Sequence, residues 1–113
     1  MALEEGDIVL LSLPQADGAR KNRPVLLLRK FSPFNDFLVC GISSQIKQEV
    51  KDFDYVIGSD NRWFSETGLL QPSLIRLGFL AMVPSNKIPG KIGVIRSDLR
   101  RELLVRLSNY LLS

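Results

Sequence analysis

The chain has no histidine and one cysteine among its 113 residues. Without imidazole, the side chain that most often moves protons near neutral pH is missing. The one thiol, Cys40, cannot close an internal disulfide. With no histidine beside it, a thiol–imidazole nucleophile or a His/Cys metal site has almost nothing to be built from, so no metal and no cofactor are expected. Cys40 lies among apolar residues and reads as a small core side chain. No apolar run approaches the roughly 20 residues that span a bilayer. The N-terminal MALEEGD is acidic and lacks the basic and apolar regions of a signal peptide. No membrane association and a cytoplasmic location are therefore the expectation. Internal repeats, low-complexity tracts and linkers are also missing.

What is present suits one globular domain over residues 1–113. Apolar residues make up 45% of the chain and charged residues 24%, enough for a chain of this length to bury roughly two-thirds of its unfolded surface. A net charge of +3 permits an anionic partner without demanding one.

Short strand signals fill most of the sequence. Gly6-Asp7 leads into a first strand, 7–13, which ends at Pro14. A polar loop, 15–22, holds the turn signal Asp17-Gly18 and then Arg20 and Lys21. Pro24 can open a strand because its missing N–H costs little there. The continuous aliphatics from Val25 to Arg29 predict a strand buried on both faces. Phe31–Asp36 reads as a hairpin connection, Phe37–Ile42 as a third strand and Phe53–Ile57 as a fourth. In 69–83 a polar break, Gln71-Pro72-Ser73, precedes a long strand of period two, bent at Gly78 as at a bulge. Trp63 and Phe64 read as aromatics closing an open edge of the core. Ser97-Asp98 predicts a helix start, with a hydroxyl cap and a carboxylate at the positive end. Leu99, Leu103, Leu107, Tyr110 and Leu111 form the stripe that packs on the sheet. The fold class is mainly β: a partial barrel of short antiparallel strands closed by a C-terminal helix.

If the second and third strands pair as a hairpin, Arg23-Pro24 at the start of one lies beside Ser43-Ser44-Gln45 at the end of the other. A guanidinium and a hydroxyl then meet at one edge of the sheet. Read alone, Arg20 and Lys21 are a solvated basic loop, and the serines are strand-end hydroxyls satisfying loop amides.

The order of these pieces resembles the MazF/PemK family of bacterial toxin–antitoxin endoribonucleases. The pieces are Gly6-Asp7, Lys21-Asn22-Arg23-Pro24, Gly41-Ile42-Ser43-Ser44-Gln45, Thr67-Gly68-Leu69 with Pro72-Ser73 and Ile75-Arg76-Leu77, and Ile92-Gly93. The loop before Pro24 looks most like the PemK-like subgroup. The resemblance implies an SH3-like partial barrel of the MazF and CcdB kind, a homodimer, an antitoxin protein as partner, and metal-independent cleavage of single-stranded RNA through a 2′,3′-cyclic phosphate. It places Arg23 and Ser43 in the catalytic site. Lys21, Gln45, Arg20 and Arg76 are the candidates for holding substrate. Two departures from the family pattern matter. A carboxylate that some members carry two residues after the later arginine is here Gly78, and the glutamate–glutamine pair that many members carry in the first loop is missing, with Gly18 and Ala19 near there. The alternative implied is a weakly active or inactive member that binds RNA or protein.

Overall fold

The computed structural model describes residues 2–14 and 17–113. Its strands are β1 (Asp7–Pro14), β2 (Arg20–Phe31), β3 (Asp36–Ser43), β4 (Tyr55–Ile57), β5 (Ser73–Pro84) and β6 (Lys91–Val94), followed by helix α1 (Ser97–Leu112). All pairings are antiparallel, and the sheet order is β4-β5-β3-β2-β1-β6. The sheet curls into a half-barrel and α1 closes one face.

The aliphatic run of β2 explains why both faces are covered. Leu26 and Leu28 join Ile8, Cys40, Ile42, Ile75 and Leu77 under Leu99, Leu103 and Leu107 of the helix. Their neighbours Val25 and Leu27 point the other way, into a second cluster with Val9, Leu11, Phe37, Val39 and Ile88. Each of the three buried helix leucines contributes about 1.5–3 kcal/mol by leaving water. Two arginines fix the helix further. Arg100 Nη1 donates to the Leu28 carbonyl at 3.0 Å and Arg106 Nη1 to the Asp54 carbonyl at 2.8 Å.

Several sequence expectations shift by a few residues. Strand β2 begins at Arg20 rather than Pro24, because Leu11–Pro14 of β1 offers partners to Arg20–Arg23; pairing overrides polar composition. Arg20 and Lys21 are thus strand residues. Of the loop expected at 15–22, Gln15 and Ala16 lie outside the described residues. Asp17-Gly18 does turn, with the Ala19 N–H donating to Asp17 Oδ1 and Gly18 at positive φ. The segment 46–48 is a 3₁₀ turn, and the fourth strand shortens to Tyr55–Ile57. Arg96, in extended conformation, takes the helix-capping position in place of Ser97, and the Asp98 carboxylate accepts from the Leu99 N–H. Leu111 is exposed and Tyr110 stacks on Phe53, with ring centroids 4.7 Å apart, so the packed stripe ends at Leu107. Trp63 and Phe64 do pack against the helix-side core.

The bend expected at Gly78 is a bulge. Cys40 pairs with Leu80, whereas its neighbour Gly41 pairs with Arg76, leaving Leu77-Gly78-Phe79 looped out of register. The buried Asp54 carboxylate stabilises the distortion by accepting the Leu77 N–H at 3.0 Å through one oxygen and the Val50 N–H at 3.0 Å through the other.

Candidate functional site

One end of the sheet is a fork. The β2–β3 ladder stops at the rung Val25–Gly41, next to Pro24, which has no N–H to continue it. Beyond that rung, residues 20–24 of β2 follow β1, while Ile42 and Ser43 of β3 follow β5. A cleft of about 350 Å³ lies between the arms. Lys21, Asn22, Arg23 and Pro24 line one arm, and Ile42, Ser43 and Ser44 line the other. Gly68–Gln71 and Ser73 close the cleft, and Leu10 and Ile92 add apolar surface.

The closing wall is held by an intimate backbone contact. Gly68 sits at φ +71°, and a Cβ there would overlap the Ile92 carbonyl; a Cβ on Gly93 would overlap the Thr67 carbonyl group. Thr67 is buried, donates from Oγ1 to the Phe64 carbonyl at 2.6 Å and accepts the Leu69 N–H at 3.1 Å. The Thr67-Gly68-Leu69 and Ile92-Gly93 pieces of the sequence therefore meet at one spot, and β6 carries the wall.

The structure brings three of the six candidate side chains to the lining of the cleft: Lys21, Arg23 and Ser43. Arg23 and Ser43 occupy opposite arms, so the guanidinium and hydroxyl expected at one sheet edge flank a gap. Ser43 Oγ accepts the Gln45 N–H at 3.0 Å, the strand-end role read from composition. That bond orients the hydroxyl and leaves its proton available to donate. Gln45 itself is outside the lining. Arg20 is turned to β1, its Nε donating to Ser12 Oγ at 3.0 Å and its Nη2 to the Ser12 carbonyl at 2.5 Å. Arg76 sits at the root of the fork, its guanidinium carbon 6.0 Å from the centre of the Phe79 ring. Among the described residues lining the cleft, the charged ones are Lys21 and Arg23, and none is a carboxylate. Sequence reasoning had assigned no role to Phe79, Leu10 or the 68–71 wall; only the wall had a signal, in its glycine motif.

The molecule is thus a small antiparallel half-barrel, closed by a terminal helix and forked beside a basic strand start, with a cleft whose charged lining residues are cationic. A sequence model of the family described as "PemK-like, MazF-like toxin of type II toxin-antitoxin system" matches residues 4–111. The chain belongs to that family. No curated protein matches it closely enough to add to this. Among solved structures it is similar to the Mycobacterium tuberculosis toxin MazF-mt6, with a TM-score of 0.64, 19% identity, and 93% of this chain and 95% of that one covered. At that identity the likeness establishes the fold. No helix among the described residues is long and apolar enough to cross a membrane.

Proposed function

We infer that the chain is an endoribonuclease toxin that cuts single-stranded RNA in the fork between β2 and β3, without a metal ion. The observation that carries this reading is the placement of Arg23 and Ser43 on opposite arms of one cleft, with Lys21 beside them. A phosphodiester bound there would have cations on one side and an oriented hydroxyl on the other.

In the reaction, the 2′-oxygen attacks the adjacent phosphorus in line. The O2′–P bond forms, the P–O5′ bond breaks, and the products are a 2′,3′-cyclic phosphate and a 5′-hydroxyl. One proton leaves O2′ and one reaches O5′. Charge grows on the non-bridging oxygens in between. Arg23 suits that charge, being planar, permanently protonated and able to bind two oxygens at once. Ser43 Oγ–H adds a second donor to one of those two oxygens from the other arm. Because no histidine exists and no carboxylate lines the described cleft, catalysis is electrostatic, and proton transfer is left to water. The enzyme is slow, and its rate climbs with pH instead of passing through a maximum.

The same absence of a carboxylate, with Gly78 in the later strand, favours a second reading: a chain that binds RNA in the fork without cutting it. The toxin reading also includes a homodimer held in check by an antitoxin protein laid over the basic arm.

Purified protein incubated with mixed-sequence RNA in excess chelator tests the first reading. Cleavage leaving cyclic phosphate ends is expected, reduced about a hundred- to a thousand-fold in Arg23→Ala. Cleavage that Arg23→Ala leaves unchanged refutes it. Binding that weakens with salt, without turnover, gives the second reading instead.

A further inference from the structure

We propose that Phe79, with Arg76 across its ring, is a stacking platform for one base of the RNA strand whose phosphate is held in the fork. The proposal rests on the reading of the cleft as an RNA site and adds a subsite to it.

The geometry begins at Gly41. This residue lacks a side chain, and a Cβ built on it would lie 3.3 Å from Phe79 Cγ and Cδ2. The phenyl ring therefore rests directly on the backbone of β3, on the face to which a side chain at 41 would point. Ser43 shares that face, two residues along the same strand, a span of about 7 Å. Gly41 is also half of the last β2–β3 rung, with Val25 opposite. Arg23, two residues before Val25 on β2, follows the same alternation. The ring thus sits at the root of the fork, about 7 Å of strand from the Ser43 position.

Three further observations favour a base as occupant. Phe79 is 46% exposed, a large apolar ring left open at the root of the fork, just outside the cleft lining. Arg76 lies 6.0 Å from its centroid, so a flat cation and a flat ring are presented together, the pairing on which nucleobases stack. The ring is aimed by a built device: the Leu77-Gly78-Phe79 bulge, whose displaced Leu77 N–H is taken up by the buried Asp54 carboxylate. Bulges re-aim side chains in this way beside functional sites. A hydrophobic contact alone would not call for the guanidinium.

The test uses the intact chain and a short RNA with 2′-O-methyl riboses, so that it binds without being cut. It carries 2-aminopurine next to the scissile position, whose fluorescence falls on stacking. Phe79→Leu keeps an apolar side chain over Gly41 and removes the ring. Its affinity is expected to drop roughly five- to a hundred-fold, with the fluorescence change lost, while Phe79→Trp retains both. An abasic residue at that position should weaken wild type by the same factor and leave Phe79→Leu unaffected, a coupling that a structural defect would not produce. Binding by Phe79→Leu within twofold of wild type, while wild type still cleaves unmodified RNA, overturns the platform alone. A wild-type protein that neither binds nor cuts RNA overturns the RNA reading and the platform with it. If Phe79→Leu abolishes self-association but not RNA binding, the ring belongs to a contact between copies, and the platform is again overturned.

Discussion

Asp54 is the residue whose loss should reveal how the fork is held. Its carboxylate is buried, 4% exposed, and each oxygen accepts one backbone N–H, from Val50 and from Leu77. The Leu77 N–H is buried at the bulge and has no sheet partner in register. In Asp54→Ala that donor loses its acceptor inside the protein, at a cost of about 1–3 kcal/mol; the Val50 N–H, nearer solvent, adds about 1 kcal/mol. A loss of about 3 kcal/mol follows, lowering the melting temperature by roughly 10–15 °C for a chain of this size. Asp54→Asn keeps one acceptor and should recover about half. Urea unfolding measures the loss directly, and Cys40 offers a second assay. Burial, with the Asp54 carboxylate adding to it, pushes the Cys40 thiol far up, so a disulfide reagent reaches a reactive thiolate only when the core opens. A fall of 3 kcal/mol in opening energy speeds labelling about a hundredfold. An Asp54→Ala protein less than about 1 kcal/mol weaker, labelled at the wild-type rate, would show that the bulge is held by packing and refute the reasoning.

Two other perturbations test the far end of β2 and the wall of the cleft. Burial pushes the Glu5 carboxyl up, but the Lys30 N–H and the Arg29 and Arg100 guanidinium groups outweigh it and hold the group below its ordinary 4.5. A carboxylate depressed in the folded state stabilises fully above its unfolded value. That contribution fades as pH falls below about 4.5 and through the folded value, so Glu5→Gln should flatten the acid limb of a stability–pH curve and lower stability near pH 7; parallel curves would dismiss the linkage. Gly93→Ala forces a Cβ into the Thr67 carbonyl group. It should cost at least about 2 kcal/mol and weaken RNA binding more than Gly90→Ala, whose Cβ meets nothing within 4 Å; equal effects would mean that the wall is not set by this contact.

Runs of apolar residues made most of the sheet legible, because strands buried on both faces leave a continuous aliphatic signature such as Val25–Leu28. The polar start of β2 was illegible for the converse reason. Arg20–Asn22 carries no strand signal of its own and is extended only because β1 runs beside it. The candidate site divides along the same line. Hairpin symmetry puts Arg23 and Ser43 at the same end of the sheet, but the gap between them could not be read, since it opens where Pro24 ends the β2–β3 ladder. Arg20 could not be told from Lys21, because the choice depends on the Ser12 hydroxyl and carbonyl that capture one of them. Phe79 was hidden more deeply. Its position depends on a three-residue slip in register, on the bare backbone of Gly41, and on a carboxylate more than twenty residues away.

That slip bears on what Gly78 means. Read as a sequence, it is a missing carboxylate and hence a missing proton carrier. In the structure it is the middle residue of the bulge, exposed, with its nearest neighbour the Phe53 ring at 3.9 Å from an added Cβ. A side chain at 78 would therefore meet open space and the Phe53 edge, and the cleft lining does not include this position. Restoring a carboxylate by Gly78→Asp thus leaves the charge outside the described cleft and should not restore acid–base catalysis; the pH–rate profile should keep its single rising slope. A bell-shaped profile in that variant would mean that the bulge moves when RNA is bound. The electrostatic pair Arg23 and Ser43 would then be one half of a site that β5 completes.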